Sequence, residues 1–427
     1  MSKKVLQSIL RYLARKILHR YQPKVIGITG SVGKTSTKEA IFTVVSSHYK
    51  CRRNQKNYNN EIGVPLTIIG RESGRKNPLA WLGVFLYGWR LIYGPRIDYP
   101  QILILEMGAD HPGDIQYLVK FTRPFVGVVT AVGPVHLEYF SKIERIAQEK
   151  SHLIKSLPTA GWAVLNNDDD LVIPMREKTS AQVVTYGFSE EAGIRAFDIR
   201  LSEDQTKEAT PGLSFKVKFH GSTFPVFLPH AIGRHQIYAA IAALAVGSGF
   251  NLNAVEMSER IKEFRPPAGR MNLIAGIKKT LIIDDSYNSS PTAAVAALKT
   301  LEELPARGAK YAVLGDMAEL GPYTEQGHRE VGEMAVSCVN YLVTVGKKAK
   351  IIAEAAQAQG FPKEEIYSFD YAKPAGKFLE DRIKPGDLIL IKGSQVARLE
   401  KVVKELMAEP QRASELLVRQ GPEWQNN

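Results

Sequence analysis

Apolar and polar positions recur in two rhythms along the chain, and the switches between them mark its elements. Short apolar runs rich in β-branched residues at 24–29, 102–106, 125–131 and 162–166 predict buried strands. Helical periodicity fills the intervals, with one helix predicted from about Thr35 and another over 143–157. Residues 195–228 are rich in strand formers and poor in helix formers, which predicts a small antiparallel section. An alanine-rich helix over about 235–247 leads to Phe264-Arg265-Pro266-Pro267-Ala268-Gly269, where the prolines and glycine predict an interdomain linker. Beyond it, strand candidates at 280–284, 311–314, 341–345 and 388–391 alternate with helices, as a doubly wound sheet requires. The division expected is a helix at 1–21, one α/β domain over 22–268, a second over 269–410, and a polar, loosely held tail over 411–427.

Two stretches carry apolar residues in helical register. Leu6, Leu10, Leu13 and Ile17 form one stripe near the start, with Lys3, Lys4, Arg11, Arg15, Lys16 and Arg20 mostly elsewhere and no acid before Glu39. A membrane-surface helix, a partner-docking helix and a helix packed on its own domain all fit this pattern. The basic residues interrupt every apolar run, so the segment is no signal peptide. Residues 79–93 form the second stretch, which Arg90 interrupts and which is too short to span a bilayer. Trp81, Phe85 and Trp89 recur there at i, i+4 and i+8, and a buried core face is expected of them, with interfacial contact as the alternative.

With 427 residues and 44% apolar content, the chain can bury more than one core. Cys51 and Cys338 are its two cysteines, too few for a disulfide framework or a four-cysteine zinc ribbon, and a reducing, cytoplasmic compartment is expected. The net charge of +12 would suit nucleic acid, but no zinc finger, basic zipper or RNA-binding aromatic pattern accompanies it, so no nucleic-acid partner is expected.

The chemistry begins at Gly27-Ile28-Thr29-Gly30-Ser31-Val32-Gly33-Lys34-Thr35-Ser36, which follows a predicted strand and opens a predicted helix. In that setting, backbone N–H groups and a helix N-terminus can cradle phosphates. Lys34 is placed to reach the terminal phosphates and Thr35 to bind magnesium. Ile28 stands where the common P-loop has its first glycine, and Gly30 is an extra one. Glu106 ends an apolar strand, at the edge of a parallel sheet where ligands bind, and a carboxylate there can hold magnesium against phosphates.

This variant loop resembles the ATP site of the Mur ligases, and further segments resemble that family in the same order, especially its D-alanyl-D-alanine-adding branch. They include Asn57-Tyr58-Asn59-Asn60-Glu61-Ile62-Gly63, Glu106-Met107-Gly108-Ala109-Asp110-His111-Pro112-Gly113 and Gly133-Pro134-Val135-His136. Pro267-Ala268-Gly269-Arg270, Asp284-Asp285-Ser286-Tyr287-Asn288 and Gly315-Asp316-Met317-Ala318-Glu319-Leu320-Gly321 follow, then His328 and Lys392-Gly393-Ser394. The match covers about 24–407.

The resemblance implies a P-loop ATPase domain followed by a Rossmann-like domain, and an ADP-forming ligase that makes an amide bond through an acyl phosphate. It implies that Gly30, Ser31, Val32, Gly33, Lys34, Thr35 and Ser36 bind ATP. Thr35, Glu106, His136 and Lys150 would hold one or two magnesium ions, with Lys150 carbamylated by CO2. His235, Arg270, Asp285, Tyr287 and Asn288 would complete the nucleotide site as the second domain closes. The implied substrates are a UDP-linked muramoyl peptide and D-alanyl-D-alanine, and the implied state is a monomer. Asp110, Gln236 and Tyr238 depart from the family pattern. The loop begins too early for the domain that grips the UDP-sugar in this branch, so the alternative expectation is the same ligase chemistry on a membrane- or polymer-borne carboxylate acceptor, or a separate chain that supplies acceptor binding. An ATP-binding membrane-surface adaptor without ligase activity is the reading from another class.

Overall fold

The computed structural model describes residues 2–55, 58–134, 137–203, 211–219, 221–229, 231–421 and 424. Strands β1 (Lys24–Thr29), β2 (Cys51–Arg53), β3 (Ile102–Glu106), β4 (Val126–Val129), β5 (Trp162–Asn166), β6 (Gln182–Gly187), β7 (Ile194–Glu203), β8 (Pro211–Phe219) and β9 (Ser222–Pro229) form one sheet. Its order is β2-β3-β1-β4-β5-β6-β7-β8-β9, parallel from β2 to β7 and antiparallel over the β7–β9 meander. The antiparallel section thus lies at one edge of the parallel sheet.

Helices α1 (Lys3–Tyr21), α2 (Lys34–Val45), α3 (Gly63–Ile69), α4 (Pro78–Tyr93), α5 (Asp114–Thr122), α6 (Leu137–Phe140), α7 (Ile143–Lys155), α8 (Arg234–Gly249) and α9 (Ala254–Arg260) accompany this sheet. Both faces of the parallel strands are covered, which is why they read as unbroken apolar runs. Ile26, Ile28 and Ile104 point into a core shared with α2 and the alanine-rich α8, whereas Val25, Leu103 and Leu105 point into one shared with α1, α3, α5 and α7. Small side chains such as Ala239, Ala240 and Ala243 let α8 approach α2 closely.

The second sheet contains β10 (Asn272–Ala275), β11 (Leu281–Asp285), β12 (Lys310–Gly315), β13 (Tyr341–Val345), β14 (Ile366–Phe369) and β15 (Leu388–Lys392). Its order is β10-β11-β15-β12-β13-β14, parallel except for β10. Helices α10 (Pro291–Glu303), α11 (Thr324–Cys338), α12 (Lys350–Ala358), α13 (Ala372–Arg382), α14 (Glu400–Leu406) and α15 (Ala413–Leu416) surround it. The α/β class with two mostly parallel sheets agrees with the sequence expectation.

Three local expectations are settled or corrected. The stripe on α1 is packed: Leu10, Leu13 and Ile17 are fully buried against α3, α4 and α5, so the own-domain reading is the observed one. Arg20 extends this attachment by donating to the carbonyls of Ile92 and Gly94 at the end of α4. On α4 the fully buried face is Val84, Gly88 and Leu91; Trp81 and Phe85 are half-buried and pack on the margin of that core, while Trp89 is exposed, so the expected core face holds for the first two aromatics and fails at Trp89. Gly88 takes the core side there, because an added Cβ would meet Leu13 Cδ1 at 3.0 Å and the two helices touch through it. The tail is not loosely held over its described part, since Ala413 and Leu417 are buried and Arg419 is clamped into the second domain.

Candidate active site

The carboxyl ends of β1, β3 and β4 converge on one crevice, the place where open α/β sheets present loops to a ligand. Thr29 Oγ1 donates to Met107 O at 2.9 Å and joins the ends of β1 and β3. The chain then turns through residues 30–33 into α2. Gly30 has φ 153° and lies so near β4 that a Cβ would stand 1.9 Å from Thr130 Oγ1, while Gly33 has φ 83° at the start of α2. Both positions demand glycine. Thr130 Oγ1 donates to Val32 O at 2.6 Å, Ser31 N donates to Ala131 O at 2.7 Å, and Ser31 Oγ accepts from Gly133 N at 2.9 Å. The loop is therefore a braced cradle. No side chain caps α2, so its first-turn N–H groups face the crevice with the positive end of the helix dipole.

Lys34 is the first residue of α2, and its ammonium donates to Gly30 O at 2.7 Å and Ser31 O at 3.2 Å. Removal from water lowers its pKa, Glu106 and Asp110 raise it, and Arg270 from the second domain lowers it. Thr35 follows at the crevice, half-buried, and Ser36 is buried beneath it.

Glu106 is held from several sides. Its amide donates to Asn54 Oδ1 at 2.7 Å, Asn54 Nδ2 returns a bond to its carbonyl at 3.2 Å, and Asn59 Nδ2 donates to Oε1 at 3.1 Å. Lys38 approaches Oε2 at 3.8 Å with its ammonium also on Asn54 O at 2.9 Å. Lys38 is 2% exposed, and sequence reasoning missed it. Its signal was present: it lies one turn after Lys34, amid the positions that α2 buries.

Lys150 on α7 is also 2% exposed, and burial together with the nearby Lys34 pushes its ammonium down to about 7, against the opposing pull of Glu149 and Asp110. Glu149 spends both oxygens on the start of α5, accepting from Gly113 N and Ile115 N at 2.8 Å each. Lys34, Glu106, Lys150, Asp110 and Arg270 thus form one electrostatic neighbourhood. His136 and Asn57 lie outside the described residues.

The second domain contributes the end of β11. Strand alternation sends Asp284 into the core, where burial pushes its carboxyl up to about 6, and turns Asp285 outward to Lys392 Nζ at 2.7 Å. Lys392 also donates to Asn288 O at 3.0 Å. The Arg270 guanidinium lies 4.2 Å from the Tyr287 ring centroid. His235, at the start of α8, is depressed to about 4 by burial, with Asp285, Lys392 and Arg270 near enough to act on it. Gln236 Nε2 lies 3.0 Å from His235 Nε2 and 3.2 Å from Arg270 O, so the departure from the family pattern bridges the two domains. Tyr238 instead donates to Asp168 Oδ2 at 2.9 Å.

Sequence reasoning also missed the tail. Arg419 donates to Ser286 O at 3.1 Å and to Tyr287 O, and pairs with the buried Glu400 at 3.3 Å. It holds the Tyr287 loop from behind. The Gly315-to-Gly321 segment is braced in a similar way. His328 is fully buried, its Nδ1 donates to Thr324 O at 2.6 Å and its Nε2 accepts from Met317 N at 3.1 Å, which fixes a neutral ring in a structural role. Asp316 Oδ1 accepts from Ala349 N at 2.7 Å, and Ser394 donates to Asp316 O.

A braced glycine cradle, a helix N-terminus, a lysine and a strand-end carboxylate are the groups that holding a nucleoside triphosphate requires, and Arg270 of the second domain lies near enough to act on the lysine. Residues 96–247 match the Mur ligase middle domain, and residues 269–395 match the Mur ligase glutamate ligase domain. The UDP-N-acetylmuramoyl-tripeptide--D-alanyl-D-alanine ligase of Bacillus subtilis strain 168 is 31% identical over 402 residues, covering 94% of this chain and 79% of that one. The chain belongs to the Mur ligase family. The Escherichia coli K12 ligase of the same name is 29% identical over 397 residues, covering 92% of this chain and 79% of its own. Among solved structures, the MurF ligase from Thermotoga maritima in complex with ADP superposes with a TM-score of 0.77 at 27% identity, covering 96% of this chain and 86% of that one.

Proposed function

We propose that this Mur ligase adds D-alanyl-D-alanine to a UDP-N-acetylmuramoyl-tripeptide with hydrolysis of ATP to ADP and phosphate. The reading rests on the relatives' activity and on one observation above all: Lys34 and Glu106 meet at the mouth of a glycine cradle that Arg270 approaches from the second domain. In the reaction, a peptide carboxylate oxygen attacks the γ-phosphorus and ADP leaves, giving an acyl phosphate. The dipeptide amine then attacks the acyl carbon, the C–O bond to phosphate breaks, and the ammonium proton passes to solvent or a base. Lys34, the α2 N–H groups and Arg270 stabilise charge spreading over the transferring phosphoryl group. The contact from Gln236 to Arg270 joins the two domains beside the site, and their closure over the nucleotide would keep water from the acyl phosphate.

The donor set fits magnesium. That ion keeps several waters and takes one or two protein oxygens beside phosphate oxygens, and Glu106 with Thr35 offers such a pair at the cradle. When bound, magnesium would neutralise charge on the transferring phosphate. Carbamylation of Lys150 belongs to the same proposal: depressed to about 7, its amine is available in neutral form near neutral pH, adds CO2 and loses a proton, and an oxygen donor then stands beside Lys34 where an ordinary lysine would place a cation. The nucleotide's base side is assigned to His235, Tyr287 and Asn288, and the side towards ribose and phosphates to Asp285 and Arg270. A seat at the cytoplasmic face of a membrane is part of the reading.

Phosphate release with ATP, magnesium, D-alanyl-D-alanine and the UDP-linked tripeptide tests the proposal. Release should require both acceptor and dipeptide and yield the pentapeptide. Release that ignores the dipeptide, or its absence with all substrates present, sinks this substrate assignment.

Arg419→Ala is expected to raise KM for ATP about tenfold, equivalent to ~1.4 kcal/mol, with a smaller change in kcat. The substitution frees the Tyr287 loop and leaves buried Glu400 with Arg398 as its remaining ion pair. Arg419→Lys should rescue little, because one ammonium cannot serve two carbonyls and a carboxylate in that fork geometry. An unchanged KM in both variants would remove Arg419 from nucleotide positioning.

A further inference from the structure

Helix α4 has two apolar faces, and only one of them is covered. Opposite the core face, Leu79, Leu82, Leu86, Trp89 and Tyr93 stand 77%, 51%, 61%, 46% and 65% exposed. Their spacing of three and four residues places all five on one line, about 21 Å long at 1.5 Å per residue. Isolated exposed leucines are ordinary, but a continuous ridge of this length is the mark of an interaction surface.

The charges around the ridge select its occupant. No acidic residue occurs among 2–38 or 73–97, which include both α1 and α4. Lys4, Arg15 and Lys16 on α1 and Lys76 and Arg90 at α4 are exposed. At one end of the ridge Trp89 and Tyr93 stack with ring centroids 5.2 Å apart, the exposed Tyr12 on α1 lies near Tyr93, and the Lys16 ammonium lies 5.7 Å from the Tyr12 ring centroid. The apolar ridge therefore passes into amphipathic rings and then into cations.

A second copy of the chain would press two cationic rims together. An anionic bilayer answers both features, taking leucines below its headgroups, tryptophan and tyrosine among them, and lysine and arginine at the lipid phosphates. With 16 residues and Arg90 within it, α4 is too short to cross, and no helix among the described residues is long and apolar enough to do so.

We propose that the exposed face of α4, rimmed by the cations of α1, docks this protein on the surface of a bilayer rich in anionic phospholipid, with α4 lying in the plane of the interface. This deepens the proposed membrane seat and stands apart from the ligase chemistry. The buried stripe of α1 serves as the fixed mount, and α4 supplies the contact.

The test is co-sedimentation of the full chain with phosphatidylcholine vesicles and with vesicles containing a quarter phosphatidylglycerol, alongside a Leu82→Asp/Leu86→Asp variant. Both leucines are exposed, so the variant should fold and keep its phosphate release. The expected result is partition onto the anionic vesicles, at least tenfold weaker for the variant, weaker with pure phosphatidylcholine, and reduced by salt. A Lys16→Glu/Arg90→Glu variant should lose the preference for anionic lipid. The proposal is overturned if the wild type stays in the supernatant with anionic vesicles, or if the aspartate variant partitions equally. It is also overturned if light scattering without vesicles shows a dimer that the aspartate variant dissolves, since the occupant is then a second copy. Vesicle binding and phosphate release are separate readouts, so a failed ligase assignment would leave docking on the bilayer unaffected.

Discussion

Lys34→Ala lowers kcat for phosphate transfer about a thousandfold, equivalent to ~4 kcal/mol of transition-state stabilisation, with thermal stability nearly unchanged. That is the expected result, and it follows from where Lys34 sits. Its ammonium is on the carbonyls of the cradle itself, half-buried, with Glu106 near enough to support its charge. A cation held there in a partly desolvated site acts on the terminal phosphates far more strongly than it would in water. The fold does not depend on it, because Thr130, Ser31 and Gly133 brace the loop independently. Steady-state phosphate release and a thermal melt check the two halves. A loss of less than tenfold in kcat would mean that another group carries the phosphoryl charge.

The second large effect is expected at Lys150. Lys150→Met should lower kcat on the order of a hundredfold or more and abolish any response to bicarbonate, whereas the wild type should lose activity in CO2-depleted buffer and regain it on bicarbonate addition. The sign in pH follows from the depressed ammonium. Below about 7 the amine is mostly protonated and reacts poorly with CO2, so activity without saturating bicarbonate should fall as pH drops through 7. Stability runs the same way. The unfolded chain holds its Lys150 proton up to the ordinary value of 10.5, while the folded chain releases it near 7. Between those limits the unfolded state binds more protons, so stability rises with pH by up to ~1.4 kcal/mol per unit. Lys150→Met should flatten that rise. Denaturant melts at pH 7 and pH 9 separate the cases, and parallel curves for the two proteins would sink the buried-amine reading.

Much of the fold was legible because the central parallel strands carry their burial in the sequence. β1, β3 and β4 are apolar on both faces and end in turns, so the crevice at their carboxyl ends could be placed from residues alone. The missed strands β2, β6, β10 and β14 lie at sheet edges or beside the meander and are short or half-exposed, with weaker patterns. Lys34, Glu106 and Lys150 were singled out through motif and family resemblance, but that they share one electrostatic neighbourhood could not be read from the sequence. Lys38 and Arg419 were missed for the same physical reason. A buried cation looks like a surface cation until its partners arrive from distant segments, here Asn54 with Glu106, and Glu400 with the Tyr287 loop. The exposure of Trp89 was hidden because both faces of α4 are apolar, and a glycine, Gly88, rather than an aromatic residue occupies the core side there.

The burial of α1 also sets an order of events during synthesis. The helices that cover it, among them α3, α4 and α5, come later in the chain, the last of these ending at Thr122. At ribosomal speeds of about 5–20 residues per second, roughly 5–20 s separate the emergence of α1 from that of α5. Until α3 and α4 emerge, Leu10, Leu13 and Ile17 have no cover from these helices, and the nascent chain presents a basic amphipathic helix to whatever chaperone or membrane lies at the tunnel exit. The helix that ends as the fixed mount of the domain is thus made before any of these partners, and its cover is complete only once the last of them has emerged.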